Sequence, residues 1–173
     1  MRNAEVIETN LDFTSLTPRN QTDQIVVHHL GIVDGDGTPI DRVLTASQIH
    51  QEHLNQGWAG IGYHYIIMPD GTIQRGRPHG MLGAHCQGDN YHTIGIVFSN
   101  TYMGDIEPTG AQIEAAALLV ANLCSIYDID IQNDTQYNVV KGHRDFLATD
   151  CPGENLYPLI QTIAQKAIWY QQN

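Results

Sequence analysis

Tyr63-His64-Tyr65-Ile66-Ile67-Met68-Pro69-Asp70-Gly71-Thr72-Ile73-Gln74 is the stretch that decides the fold. Tyr63 to Met68, rich in aromatic and β-branched side chains, reads as a strand. Pro69-Asp70-Gly71 reads as a turn, because proline presets φ and glycine accepts positive φ. Thr72-Ile73-Gln74 then returns as the hairpin partner, so one antiparallel pair is expected here.

Upstream, Ile25-Val26-Val27 is a short β-branched run, read as a buried strand ending at His28. Thr45 with Gln48 is a capping-box signal for a helix over about 46–56. Downstream, Ile94 to Phe98 is a further apolar strand. Thr109 and Gln112 repeat the capping box, and behind it Ile113, Ala116, Ala117, Val120, Leu123, Cys124 and Tyr127 share a helical face. Tyr137 to Val140 reads as a strand leading to His143, and Leu156, Leu159, Ile160, Ile163, Ala164, Ala167 and Ile168 stripe a C-terminal helix. Strands interleaved with helices predict an α/β fold, a central mixed sheet flanked by helices. Residues 1–22 are polar and read as an irregular N-terminal arm, with a single domain over 23–173.

Eight Lys and Arg stand against 19 Asp and Glu, a formal net charge of -11. Such a chain lacks the basic face that phosphate binding needs, so nucleic acid is excluded as a partner. No apolar run approaches the roughly 18 residues of a membrane span, so no membrane insertion is expected. Met1 to Asp12 carries Glu5, Glu8 and Asp12 and no apolar core, so no secretory signal is read. Cys86, Cys124 and Cys151 are too few for a disulfide framework, and an odd count leaves at least one thiol free or on a metal. Cys124 falls on the apolar face of its helix. Cys86 is adjacent to His85, a poor spacing for chelation, and is read as structural.

His28, His143 and Cys151 lie just past strand ends or in an adjoining loop. Two imidazoles and a thiolate suit Zn²⁺, and three protein ligands leave a fourth position for water. Their spacing is not a diagnostic motif, and the plain alternative is three ordinary residues, Cys151 being a buried thiol in a Cys-Pro-Gly turn. His29 rivals His28, but neighbours in a strand point to opposite faces, so only one of the two reaches a given site.

Several blocks add a resemblance. Val26-Val27-His28-His29, Gly57-Trp58, Ile61-Gly62-Tyr63-His64-Tyr65 and Asp70-Gly71-Thr72 are followed in order by Gly83-Ala84-His85, Asn90, Ile94-Gly95-Ile96, Gly142-His143-Arg144-Asp145 and Thr149-Asp150-Cys151-Pro152-Gly153. Together they resemble the peptidoglycan-recognition-protein and type-2 N-acetylmuramoyl-L-alanine amidase family over roughly residues 22–165. The resemblance implies a zinc-dependent amidase that cuts between the lactyl group of N-acetylmuramic acid and the first L-alanine of the stem peptide. Peptidoglycan or muropeptides would be its partners. It implies His28, His143 and Cys151 as zinc ligands and Tyr63 as the catalytic donor to the oxyanion, where the alternative is a packed strand tyrosine. Thr149 stands where some members carry lysine; it either bonds substrate or caps its own backbone. Trp58 and His85 match positions that line the peptide groove, against a core aromatic and a satisfied buried histidine. Asp145 either orients a ligand or pairs with Arg144. Val97 stands where distant relatives carry a glutamate base, so that version of the mechanism is closed. With no secretory signal read, the expected setting is a chain made in the cytoplasm and released to the wall by a holin or another non-secretory route, with an intracellular muropeptide-recycling enzyme or an exported effector as the alternatives.

Two rival classes remain at this level. A binding module would recognise muropeptides without cutting them. A cysteine peptidase would use Cys151 as nucleophile and His143 as base.

Overall fold

The computed structural model describes residues 2–173; Met1, where the arm begins, lies outside the described residues. In chain order the elements are β1 (Val6–Ile7), β2 (Gln24–His29), α1 (Ala46–Asn55), β3 (Tyr65–Ile67), β4 (Ile73–Arg75), β5 (Thr93–Phe98), α2 (Gly110–Ile126), β6 (Val140–Gly142) and α3 (Ile160–Gln172). Short 3₁₀ turns cover His143–Asp145 and Tyr157–Leu159. The six strands form one sheet in the order β1-β4-β3-β5-β2-β6. Among the named strands of the described residues, only the β3–β4 hairpin is antiparallel, and every other neighbouring pair is parallel. The expected mixed sheet flanked by helices is therefore present.

Strand alternation sorts the core into two layers. Ile25, Val27, Tyr65, Ile67, Ile94, Ile96 and Phe98 face α2 and α3. Ile66 and Val97 face the other way, onto Leu44, Ile49 and Ile61 around α1. Ile25, Val26 and Val27 are all buried, as a central parallel strand covered on both faces requires. His28 follows Val26 on the α1 side, and His29 falls on the opposite side.

Both capping boxes form. Thr109 does more than cap α2: its hydroxyl donates to the Pro69 carbonyl at 2.5 Å, tying the hairpin turn to the helix start. Thr109→Ala loses the cap and this tie together. We expect a destabilisation of about 1–2 kcal/mol, read as a lower urea midpoint at unchanged m-value.

Three expectations need correction. The arm is not irregular throughout: Val6–Ile7 pairs parallel with β4, Pro18 bridges Met81, and Phe13 packs into the α1-side core. A two-residue polar-flanked strand has too short a period to read. β3 begins at Tyr65 rather than Tyr63, leaving Tyr63 just before the strand. The last strand spans 140–142 rather than 137–140. Tyr137 has φ +52°, and Val139 N–H is taken by the Asp134 carboxylate at 2.7 Å, so a turn occupies those residues. The shift matters, because Gly142 now pairs with Val27 and His143 emerges beside His28.

Candidate metal centre

The end of β2 delivers His28, and the 3₁₀ turn after β6 delivers His143. Asp145 makes that turn: its Oδ2 accepts from Gly142 N at 2.8 Å, and its Oδ1 accepts from Tyr157 O–H at 2.6 Å. Asp145 thus neither bonds a ligand nor pairs with Arg144; it caps the turn that carries His143. The loop from 144 to 151 is closed by Arg144 N–H donating to the Cys151 carbonyl at 3.0 Å, which returns Cys151 to the site. Gly153 follows with φ +97°, and a Cβ there would lie 2.4 Å from the Tyr102 carbonyl oxygen, so only glycine turns the chain here.

These elements bring one donor atom each from His28, His143 and Cys151 within 4.8 Å of one another. Cys151 Sγ lies 3.5 Å from His28 Nδ1. Donors around a tetrahedral zinc ion are separated by roughly 3.5 Å, so the widest pair has only about 1 Å to close. His143 Nε2 is buried without a hydrogen-bond partner among the described residues, an unspent lone pair or proton that a ligand role would use. Burial, then His143, His29 and His64, hold His28 well below the usual histidine range, and burial lowers His143 too. Both rings are therefore neutral near neutral pH, the form in which an imidazole can bind a metal. Burial pushes the Cys151 thiol up to about 12, while the His29 amide pulls it down. That amide donates to Sγ at 3.5 Å. The donor set and its geometry fit a zinc ion.

His29 is not in this cluster. Its ring turns to the other side of the sheet, where Nδ1 accepts from Tyr102 N–H at 3.1 Å.

Tyr63 tilts against His28, with ring centroids 5.1 Å apart. Burial, then Cys151, raise its phenol far above the ordinary tyrosine range, so it stays protonated and keeps an O–H to donate near neutral pH. Thr149 Oγ1 accepts from Cys151 N–H at 3.2 Å, which is the backbone-capping alternative, and its proton is left to donate elsewhere.

Comparison with known sequences settles the family. The N-acetylmuramoyl-L-alanine amidase family model matches residues 18–154. The chain belongs to that family. It is 34% identical to peptidoglycan recognition protein 1 of Bos indicus over 140 residues, 79% of this chain and 69% of that protein. It is 29% identical to the endolysin of Escherichia phage T7 over 146 residues, covering 80% and 85%. Among solved structures, the N-acetylmuramoyl-L-alanine amidase LysC from Clostridium intestinale superposes with a TM-score of 0.78 at 31% identity, covering 94% of this chain and 96% of that one.

The remaining residues of this family member divide cleanly. Trp58 is 43% exposed and lies on His53 with ring centroids 4.5 Å apart, so it is not a core aromatic. His85 is buried rather than on a groove surface: Nδ1 meets His28 Nε2 at 2.8 Å and Nε2 meets Thr93 Oγ1 at 3.3 Å. Both its nitrogens are spent inside the protein. Cys86 and Cys124 are buried thiols, as expected. Sequence reasoning missed His53, which stands between Trp58 and Tyr63; its Nδ1 accepts from Gly62 N–H at 2.9 Å, leaving Nε2 as the donor. Its signal was available, because 46, 49, 50 and 53 form the inner face of α1. Asn90 lies close behind His85 in the chain and supports it. Its Oδ1 accepts from both His85 N and Cys86 N at 3.0 Å and so fixes the backbone under His85.

Proposed function

We propose that this chain is a zinc-dependent N-acetylmuramoyl-L-alanine amidase. Its substrate is peptidoglycan or muropeptides, and the bond cut joins the lactyl group to L-alanine. The observation that carries this reading is the convergence of His28, His143 and Cys151 beside Tyr63 in a chain of this family. The endolysin and amidase relatives support hydrolysis of that bond.

His28, His143 and Cys151 would hold the ion. A zinc ion there would supply Lewis acidity toward the carbonyl oxygen and toward water. The protein's own groups do the rest. Hydrolysis adds water across the amide, and negative charge develops on the carbonyl oxygen while the L-alanine nitrogen leaves with a proton. Tyr63 O–H is a donor beside the centre and meets that oxygen. Thr149 keeps a hydroxyl proton at the rim for a second polar contact. Trp58 and His53 offer an aromatic wall to the peptide.

Two observations weigh against the rivals. A thiol raised to about 12 and facing neutral imidazoles is a poor peptidase nucleophile, since the thiolate is the reactive form. A binding module needs no set of three donors aimed at one point.

The test is mass spectrometry of digested peptidoglycan, run with metal content, chelator and zinc add-back. Stem peptides bearing a free N-terminal L-alanine, lost on chelation and restored by zinc, are expected. New reducing sugar ends would refute the assignment. Intact, tightly bound wall would favour the binding module.

A further inference from the structure

His85 is buried, and both its ring nitrogens face polar partners. The Asp89 carbonyl can only accept, and Thr93 O–H donates to it at 2.8 Å. That commits the single hydroxyl proton of Thr93, so its oxygen faces His85 Nε2, 3.3 Å away, as an acceptor. His85 therefore carries its proton on Nε2 and presents a lone pair at Nδ1. That lone pair lies 2.8 Å from His28 Nε2, which must then be the donor. His28 is left with a bare Nδ1, the atom that faces Cys151 Sγ at 3.5 Å. The opposite order would need a doubly protonated His85, a buried cation set among other imidazoles, and burial disfavours it.

The ring is also clamped. A Cβ on Gly95 would lie 2.5 Å from His85 Cγ, and one on Gly83 would lie 2.5 Å from His85 Cδ2. Two glycines thus make the slot in which the imidazole sits, and Asn90 holds its backbone from the third side.

We infer that His85 and Thr93 are positioning residues that lock His28 in the Nε2–H tautomer, with its Nδ1 lone pair aimed at the metal centre. This rests on the zinc reading given above. The hydroxyl of Thr93 acts at two removes from the metal, through one ring onto another.

Histidine ¹⁵N shifts of the full chain, freed of metal and near neutral pH, test the wiring directly. His28 is expected as the Nε2–H tautomer before any ion is added; an Nδ1–H form overturns the inference. Zinc affinity is then read by competition with a chromogenic chelator. Thr93→Val keeps the shape of a buried strand residue and removes the hydroxyl, and should weaken zinc about 10–100-fold. Thr93→Ser should restore the affinity. A Thr93→Val chain that binds zinc as tightly as the parent overturns the inference, and if that variant does not fold, the tautomer of the unaltered chain decides. A parent chain that takes up no zinc would sink the zinc reading instead, with the tautomer still deciding the wiring.

Discussion

Cys151→Ser protein is expected to fold, to lose its zinc and to leave peptidoglycan uncut. Sγ is one of three donors and stands 3.5 Å from His28 Nδ1. A serine hydroxyl keeps nearly the same shape but does not ionise beside the metal, so the site falls to two neutral imidazoles. Removing a partner outside the ligand set costs about 10–100-fold in affinity, so losing a ligand itself should cost at least about 100-fold. Amidase activity should fall to background at matched zinc. The fold should survive, because the thiol is only half-buried and its main-chain bonds remain; the Arg144 amide still reaches the residue-151 carbonyl. Metal analysis, circular dichroism and wall clearing on one preparation check all three. Full-speed hydrolysis by this variant in metal-free buffer would falsify the zinc reading.

The second large effect belongs to Tyr63. Tyr63→Phe keeps the ring that packs against His28 and His53, with centroids 5.1 and 5.8 Å away, and removes only the hydroxyl. A donor aimed at a developing oxyanion is worth about 10²–10³ in kcat, or roughly 2.7–4 kcal/mol. We therefore expect kcat to drop by that factor with zinc content and KM little changed. The parent phenol sits far above its ordinary range, so no limb of the rate profile near neutral pH should trace to it. A variant with parental kcat would return Tyr63 to a packing role.

Much of this was legible before any coordinates. The hairpin at 63–74 was readable because Pro69 and Gly71 have fixed conformational preferences, and β2 and β5 because β-branched runs leave little else to do. Strand alternation allowed only one of His28 and His29 to reach a given site, the resemblance chose His28, and the structure sends the two rings to opposite faces as the rule requires. Other features were hidden for physical reasons. Tyr137 adopts a positive φ that its side chain does not advertise, so β6 was placed too early. Val6-Ile7 becomes a strand only because β4 offers an open edge. A buried histidine looks like a groove histidine in a sequence, and only the partners of both ring nitrogens place His85 beneath the site. Asp145 bonds Gly142 and Tyr157, contacts set by a turn and a distant helix start.

The parallel pairing of β2 with β6 carries a consequence for the order in which the chain acquires its chemistry. His28 and Cys151 are 123 residues apart along the chain, and they meet only when the last strand docks beside the second one made. Such long-range closure is slow and comes late. A nascent chain that has left the ribosome through α2 carries a finished α1 and most of the sheet, yet only one donor of the three. Hydrolytic competence would thus switch on only with the final quarter of synthesis, and fragments that end before Cys151 should be inert however well they fold.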